Sequence, residues 1–85
     1  MNINKLLDEL RNYLDSERRE QLAKYDSIKR VLKKLKKKEN ALKDELKNEH
    51  DEEASKQLQR EIDVIFAQRK KGVELRKALK EAKES

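Results

Sequence analysis

Residues 47–57 read KNEHDEEASKQ, and Ala54 is the only apolar side chain among them. On either side of this stretch run two apolar stripes whose registers do not join. Leu46 and Leu58 are twelve residues apart, a rotation of about 120° off the seam if the helix were continuous. A turn within 47–57 resolves the mismatch. Asn48 has the character of a helix terminator, and Asp51 followed by Glu52 and Glu53 reads as an N-cap with acids in the first turn, where the helix dipole favours them.

Upstream, steps of seven give Leu7, Leu14, Gln21, Ile28, Leu35, Leu42 and Glu49. The companion positions are Ile3 and Leu10 early and, after a one-residue slip, Tyr25, Leu32 and Leu46. That slip is what a nearly straight helix of about 3.6 residues per turn requires. The pattern predicts one long helix over about 3–48, roughly 70 Å in length at ~1.5 Å per residue. Downstream, Leu58, Ile65, Gly72 and Leu79 repeat with Ile62, Leu75 and Ala82, which predicts a second helix over about 53–83. The fold expected from these two stripes is all-α: residues 1–85 as one antiparallel two-helix coiled-coil hairpin with a turn at about 49–52. Facing residue numbers would sum to roughly 100 to 104. In the lower register Leu42 meets Leu58 and Ile28 meets Gly72; in the higher one Leu46 meets Leu58 and Leu42 meets Ile62. The rival is one unbroken helix of about 80 residues, which no Gly or Pro in the turn region forbids.

Composition agrees with long helices and excludes much else. Of 85 residues 48% are charged and 34% hydrophobic, with one Gly and no Pro or Cys. Lys, Glu and Arg interspersed with Leu and Ile favour helix over disorder, and so short and charged a chain has little with which to line an enzyme pocket. Without cysteine there is neither a disulfide framework nor a thiolate metal site. The longest apolar run, Val64 to Ala67, is four residues, too short to span a bilayer, and the N-terminal residues have no signal-peptide pattern. A cytoplasmic, non-enzymatic protein without cofactor or metal is the expectation. His50 is the single histidine, set among Glu49, Asp51, Glu52 and Glu53 as in a solvated turn. Gly72, alone in a helical run, fits a close helix approach opposite Ile28 or Leu32.

In such a hairpin the arms are unequal. The second helix would cover the first only back to about residue 18, leaving Ile3, Leu6, Leu7, Leu10, Tyr13 and Leu14 without an intramolecular partner. Val31, Phe66 and Val73 lie off the main seam as a second packing surface. These nine residues are the expected self-association surface of a dimer with a four-helix section.

Charge is distributed unevenly. Residues 29–38 carry Lys29, Arg30, Lys33, Lys34, Lys36, Lys37 and Lys38 with no acid, and Arg69, Lys70, Lys71, Arg76 and Lys77 would fold alongside. These twelve cations form a basic collar about 15 Å tall at ~1.5 Å per residue. Residues 39–63 at the turn end carry 4 positive and 9 negative side chains, net −5. Like charges at i, i+4 repel by a few tenths of a kcal/mol each, a cost that a bound anion relieves. The leading functional expectation is a self-associating interaction module that presents an acidic tip and a basic collar to a protein partner. The alternative is a sequence-tolerant nucleic-acid binder that places the collar on phosphates. Lysines dominate the run and no aromatic lies within it, so base stacking and bidentate readout are poorly served.

Overall fold

The computed structural model describes residues 3–84, which form α1 (Ile3–Asp15), α2 (Arg18–Ala23), α3 (Tyr25–Asn48) and α4 (Glu52–Glu84), with no strand among them. The molecule measures 50 × 19 × 18 Å. Its long dimension is that of α4, whose 33 residues rise about 50 Å at ~1.5 Å each.

The chain reverses between α3 and α4. Glu39 meets Arg69, Leu32 lies against Gly72, and Lys83 sits 4.4 Å from the Tyr25 ring centroid, pairs that lie progressively farther from the turn. Their residue numbers sum to between 104 and 108, at and beyond the upper end of the range expected from the stripes. Glu49 organises the turn: its Oε1 accepts the backbone N–H of His50 at 3.2 Å and that of Asp51 at 3.0 Å. Asp51 then caps α4, its Oδ1 accepting the Glu53 N–H at 3.4 Å and its carbonyl the Ser55 N–H at 2.9 Å. The Asn48 side chain closes α3 by donating to the Asp44 carbonyl at 3.1 Å.

The single helix expected over residues 3–48 is not what forms. At Glu17 the backbone is extended, with φ −67° and ψ 153°. Ser16 ends α1 by turning back on it: its N–H donates to the Tyr13 carbonyl at 3.2 Å and its hydroxyl to the Asn12 carbonyl at 2.7 Å. Gln21 completes the reversal. Its side-chain amide donates to the Tyr13 carbonyl at 2.8 Å, as a second donor there, and to the Leu14 carbonyl at 3.4 Å, at the end of α1 where the helix supplies no further N–H. By contrast the junction at Lys24 is only a bend, because the Lys24 N–H still reaches the Glu20 carbonyl and its own carbonyl still accepts from Ile28.

With the chain reversed twice, α1 lies back along both α3 and α4. Leu6, Leu7 and Leu10 are buried there, together with Ile28, Val31, Leu32, Leu35, Leu42, Ile62, Ile65 and Leu79. Ile3, Tyr13 and Leu14 pack partly buried against the same core. The N-terminal segment is thus not left without an intramolecular partner, and of the second group Val31 is inside as well. The physical reason is the one that made a dimer attractive: each exposed Leu forfeits about 1.5–3 kcal/mol of burial. The reversal at 16–24 recovers that within one chain. Gly72 makes the fit possible, since a Cβ there would lie 2.5 Å from Leu32 Cδ2 and 3.1 Å from Leu10 Cδ1. The three helices approach over a residue that has no side chain.

Candidate functional site

The basic run of α3 faces outward. On a helix turning about 100° per residue, the buried positions Ile28, Val31, Leu32, Leu35, Glu39 and Leu42 occupy one arc. Lys29, Arg30, Lys33, Lys34 and Lys37 fill the opposite one. These five and Lys36 are exposed, and Lys38 is half-buried at the margin of the α1 side. Among the described residues none of the seven has an acid within ion-pair distance, the pairs being Arg11–Asp8, Lys43–Glu39, Lys56–Glu52 and Arg69–Glu39.

The α4 half of the collar is more divided. Lys70, Lys71 and Lys77 are exposed and Arg76 is half-buried. Arg69 is committed to the interior: its Nε donates to Glu39 Oε1 at 3.1 Å, and its side chain is largely covered. It stitches α3 to α4, and eleven of the twelve collar cations have no ion pair among the described residues.

Glu39 was not among the residues that composition or charge runs singled out, yet it is the most deeply buried charged side chain, 1% exposed. Lys43 Nζ reaches its Oε2 at 3.0 Å while Arg69 holds its Oε1. Burial alone raises the carboxyl pKa; hydrogen bonds from Lys43 and Arg69, with their positive charges, outweigh burial and hold it below the ordinary 4.5. The signal was present in the sequence. Glu39 occupies the heptad position between Leu32 and Leu46, just as Gln21 occupies the one between Leu14 and Ile28.

At the tip, Asp51, Glu52, Glu53, Asp44 and Glu45 are exposed and Glu49 is half-buried in the turn. Two surface grooves open on the α1 side. One of 580 Å³ lies between the start of α1 and α4, lined by Ile3, Leu7, Arg60, Glu61 and Val64 among others. The second, of 700 Å³, lies between α3 and α4 near the turn, lined by Ala41, Asp44, Glu45, Ala54 and Leu58 among others. Neither is lined by His, Ser or Cys. No group of three or more His, Cys, Asp or Glu side chains among the described residues is arranged to hold a metal ion. No helix among the described residues is long and apolar enough to cross a membrane.

Of the expected self-association residues, Phe66 alone stands well exposed, at 52%, and Val73 is half-buried. Among the described residues, Phe66 and Val64, 45% exposed, are the two large hydrophobic residues that the fold leaves open. No family model matches the chain, and neither a curated protein nor a solved structure matches it at a significant level.

Proposed function

We propose that this chain is a non-enzymatic interaction module whose working surface is the outward face of α3 and the adjoining cations of α4, and whose partner is a protein that presents acidic side chains. One observation carries the reading: seven cations in residues 29–38, six of them exposed, none in an ion pair among the described residues. Lysines in that density repel one another, so a bound polyanion relieves a standing cost as well as gaining attraction. The acidic tip, net −5 over residues 39–63, gives the rod a charge polarity that repels the wrong end of an acidic partner and so orients its approach. Self-association through the N-terminal apolar segment drops out of the reading, because its leucines serve the core.

The test is binding of a fluorescein-labelled glutamate-rich peptide, followed by anisotropy at 50 and 300 mM salt. The reading expects binding that weakens steeply with salt and at least about a tenfold loss in the Lys33→Glu, Lys37→Glu double variant. Binding that neither salt nor the double variant alters would overturn it.

A second reading, sequence-tolerant binding of nucleic acid, is favoured by the same unpaired stripe, since lysines act as point charges suited to phosphates. Duplex DNA in the same assay separates the two. If about six phosphates are neutralised, the log–log salt slope for DNA is near −5. Tighter binding of DNA than of the acidic peptide would make this second reading the correct one.

A further inference from the structure

The α3–α4 pair has two flanks, and α1 occupies one of them. Val64, Glu61 and Arg60 of α4 border α1 in the 580 Å³ groove. Turning about 100° per residue, Phe66 and Val73 come some 160–180° round α4 from Val64, beyond the line on which Arg69 meets α3. They therefore lie on the flank that α1 does not cover. From α3 the same flank receives Lys29 and Lys36, on the side of the helix where Leu32 and Glu39 meet α4. On α4 itself Lys70 and Lys77 stand one turn beyond Phe66 and Val73, and all four lysines are exposed.

We infer that this open flank seats an acidic amphipathic helix of a partner protein. That helix would lie along the α3–α4 seam as α1 does on the other side, with its apolar stripe on Phe66 and Val73 and its carboxylates toward Lys29, Lys36, Lys70 and Lys77. The inference rests on the reading above and sharpens it from an acidic surface to a helix with one apolar face. Charge selects the occupant, because a basic or neutral helix gains nothing from four lysines and an acidic one gains from all of them. The apolar pair selects its form: Phe66 and Val73 are seven residues apart, about 10.5 Å along the axis, the repeat at which a helix returns its apolar face. A half-exposed phenylalanine with an exposed lysine one turn beyond it on α4 has the make-up of an anchor at an interface centre with a charged rim.

The experiment compares two fluorescein-labelled peptides of identical composition, one with leucines at i, i+3 and i+7 among glutamates and one with the leucines scrambled off a single face. The intact 85-residue chain is titrated with each, and with duplex DNA. The amphipathic peptide should bind at least about tenfold more tightly than the scrambled one, and Phe66→Ala with Val73→Ala should erase that difference. The same double variant should leave binding of the scrambled peptide unchanged, which also shows that it remains folded. Equal affinity for the two peptides, or an advantage that survives Phe66→Ala and Val73→Ala, overturns the inference while leaving the electrostatic reading intact. If Lys36→Glu with Lys70→Glu strengthens or leaves unaltered the binding of both peptides, the seat on this flank falls. Preference for DNA over both peptides sinks the underlying reading as well.

Discussion

The two flanks of the α3–α4 pair are built from the same two helices and treated oppositely. On one, α1 is drawn in until Leu10 reaches 0% exposure and Gly72 has no room for a methyl group. On the other, Phe66 stays 52% exposed and lysines border the seam. The difference lies in what each flank offers. Val31, Leu75 and the bare Gly72 backbone present a surface that an apolar helix can seal, whereas lysines along the other seam would lose hydration under a helix that brings no acids to answer them. A short helical protein can thus close its core against one flank and leave the other open.

The largest effect that separates the flanks is the loss of a seated side chain. Leu10→Ala should lower stability by about 2–5 kcal/mol in urea unfolding, since it leaves a cavity where three helices meet. Phe66→Ala should change it by no more than about 0.5 kcal/mol. Equal losses would mean that the covered and open flanks are not distinct.

Gly72→Ala tests the same seat from the other side. Alanine gains about 1 kcal/mol of helix propensity over glycine, but its Cβ meets Leu32, itself buried, at 2.5 Å, and overpacking of this kind costs about 1–3 kcal/mol. A net loss of roughly 1 kcal/mol is expected. A rise in melting temperature would show that Leu32 and Leu10 yield freely and that the approach is looser than it looks.

Similar in size is the effect of the cap that turns α1 back. Gln21→Ala removes the donor shared by the Tyr13 and Leu14 carbonyls and should cost about 1 kcal/mol, with faster amide exchange in α1 than in α3 or α4. Uniform exchange in all three would place the reversal elsewhere than on Gln21.

At neutral pH the mildest change is Glu39→Gln, because Lys43 is half exposed and a glutamine oxygen can still accept from Arg69 Nε. Its signature is in acid. The folded carboxyl lies below its ordinary 4.5, so its contribution is complete above that value and is lost as the pH falls through the folded one. Wild-type stability should decline through the acid range more steeply than that of Glu39→Gln; parallel profiles would show that the ion pairs contribute nothing.

Much of this architecture is legible in the residues, and the part that is not has a definite cause. The all-helical class follows from a charged, proline-free chain with apolar residues at helical spacing. The reversal at 16–24 is hidden because the stripe Leu7, Leu14, Gln21, Ile28 keeps step across it, so periodicity sees no break, and Ser16–Glu17 offers neither Gly nor Pro. What marked the place was the polar exception. Gln21 and Glu39 interrupt the two rows of the upstream stripe and are the buried polar residues among those described, one capping α1 and the other joining α3 to α4. Gly72, the exception in the second stripe, marks where α1 approaches. Charge in residues 29–38 is legible as a run, but its outward display depends on the helix phase, and the diversion of Arg69 to Glu39 could be seen only in three dimensions.

The reversal within the first 48 residues is the claim on which both flanks depend, and one distance tests it directly. Asp8 and Lys34 are both exposed, and their numbers sum to 42, as do those of Leu10 and Leu32, which meet over Gly72. Spin labels at these two positions, diluted with unlabelled chain so that only pairs within a chain contribute, should lie within about 25 Å of each other, from helix axes ~8–10 Å apart plus the label linkers. A continuous helix over the 26 intervening steps would hold them about 39 Å apart at ~1.5 Å per residue, and a distribution centred there would contradict the covered flank and restore the exposed N-terminal arm.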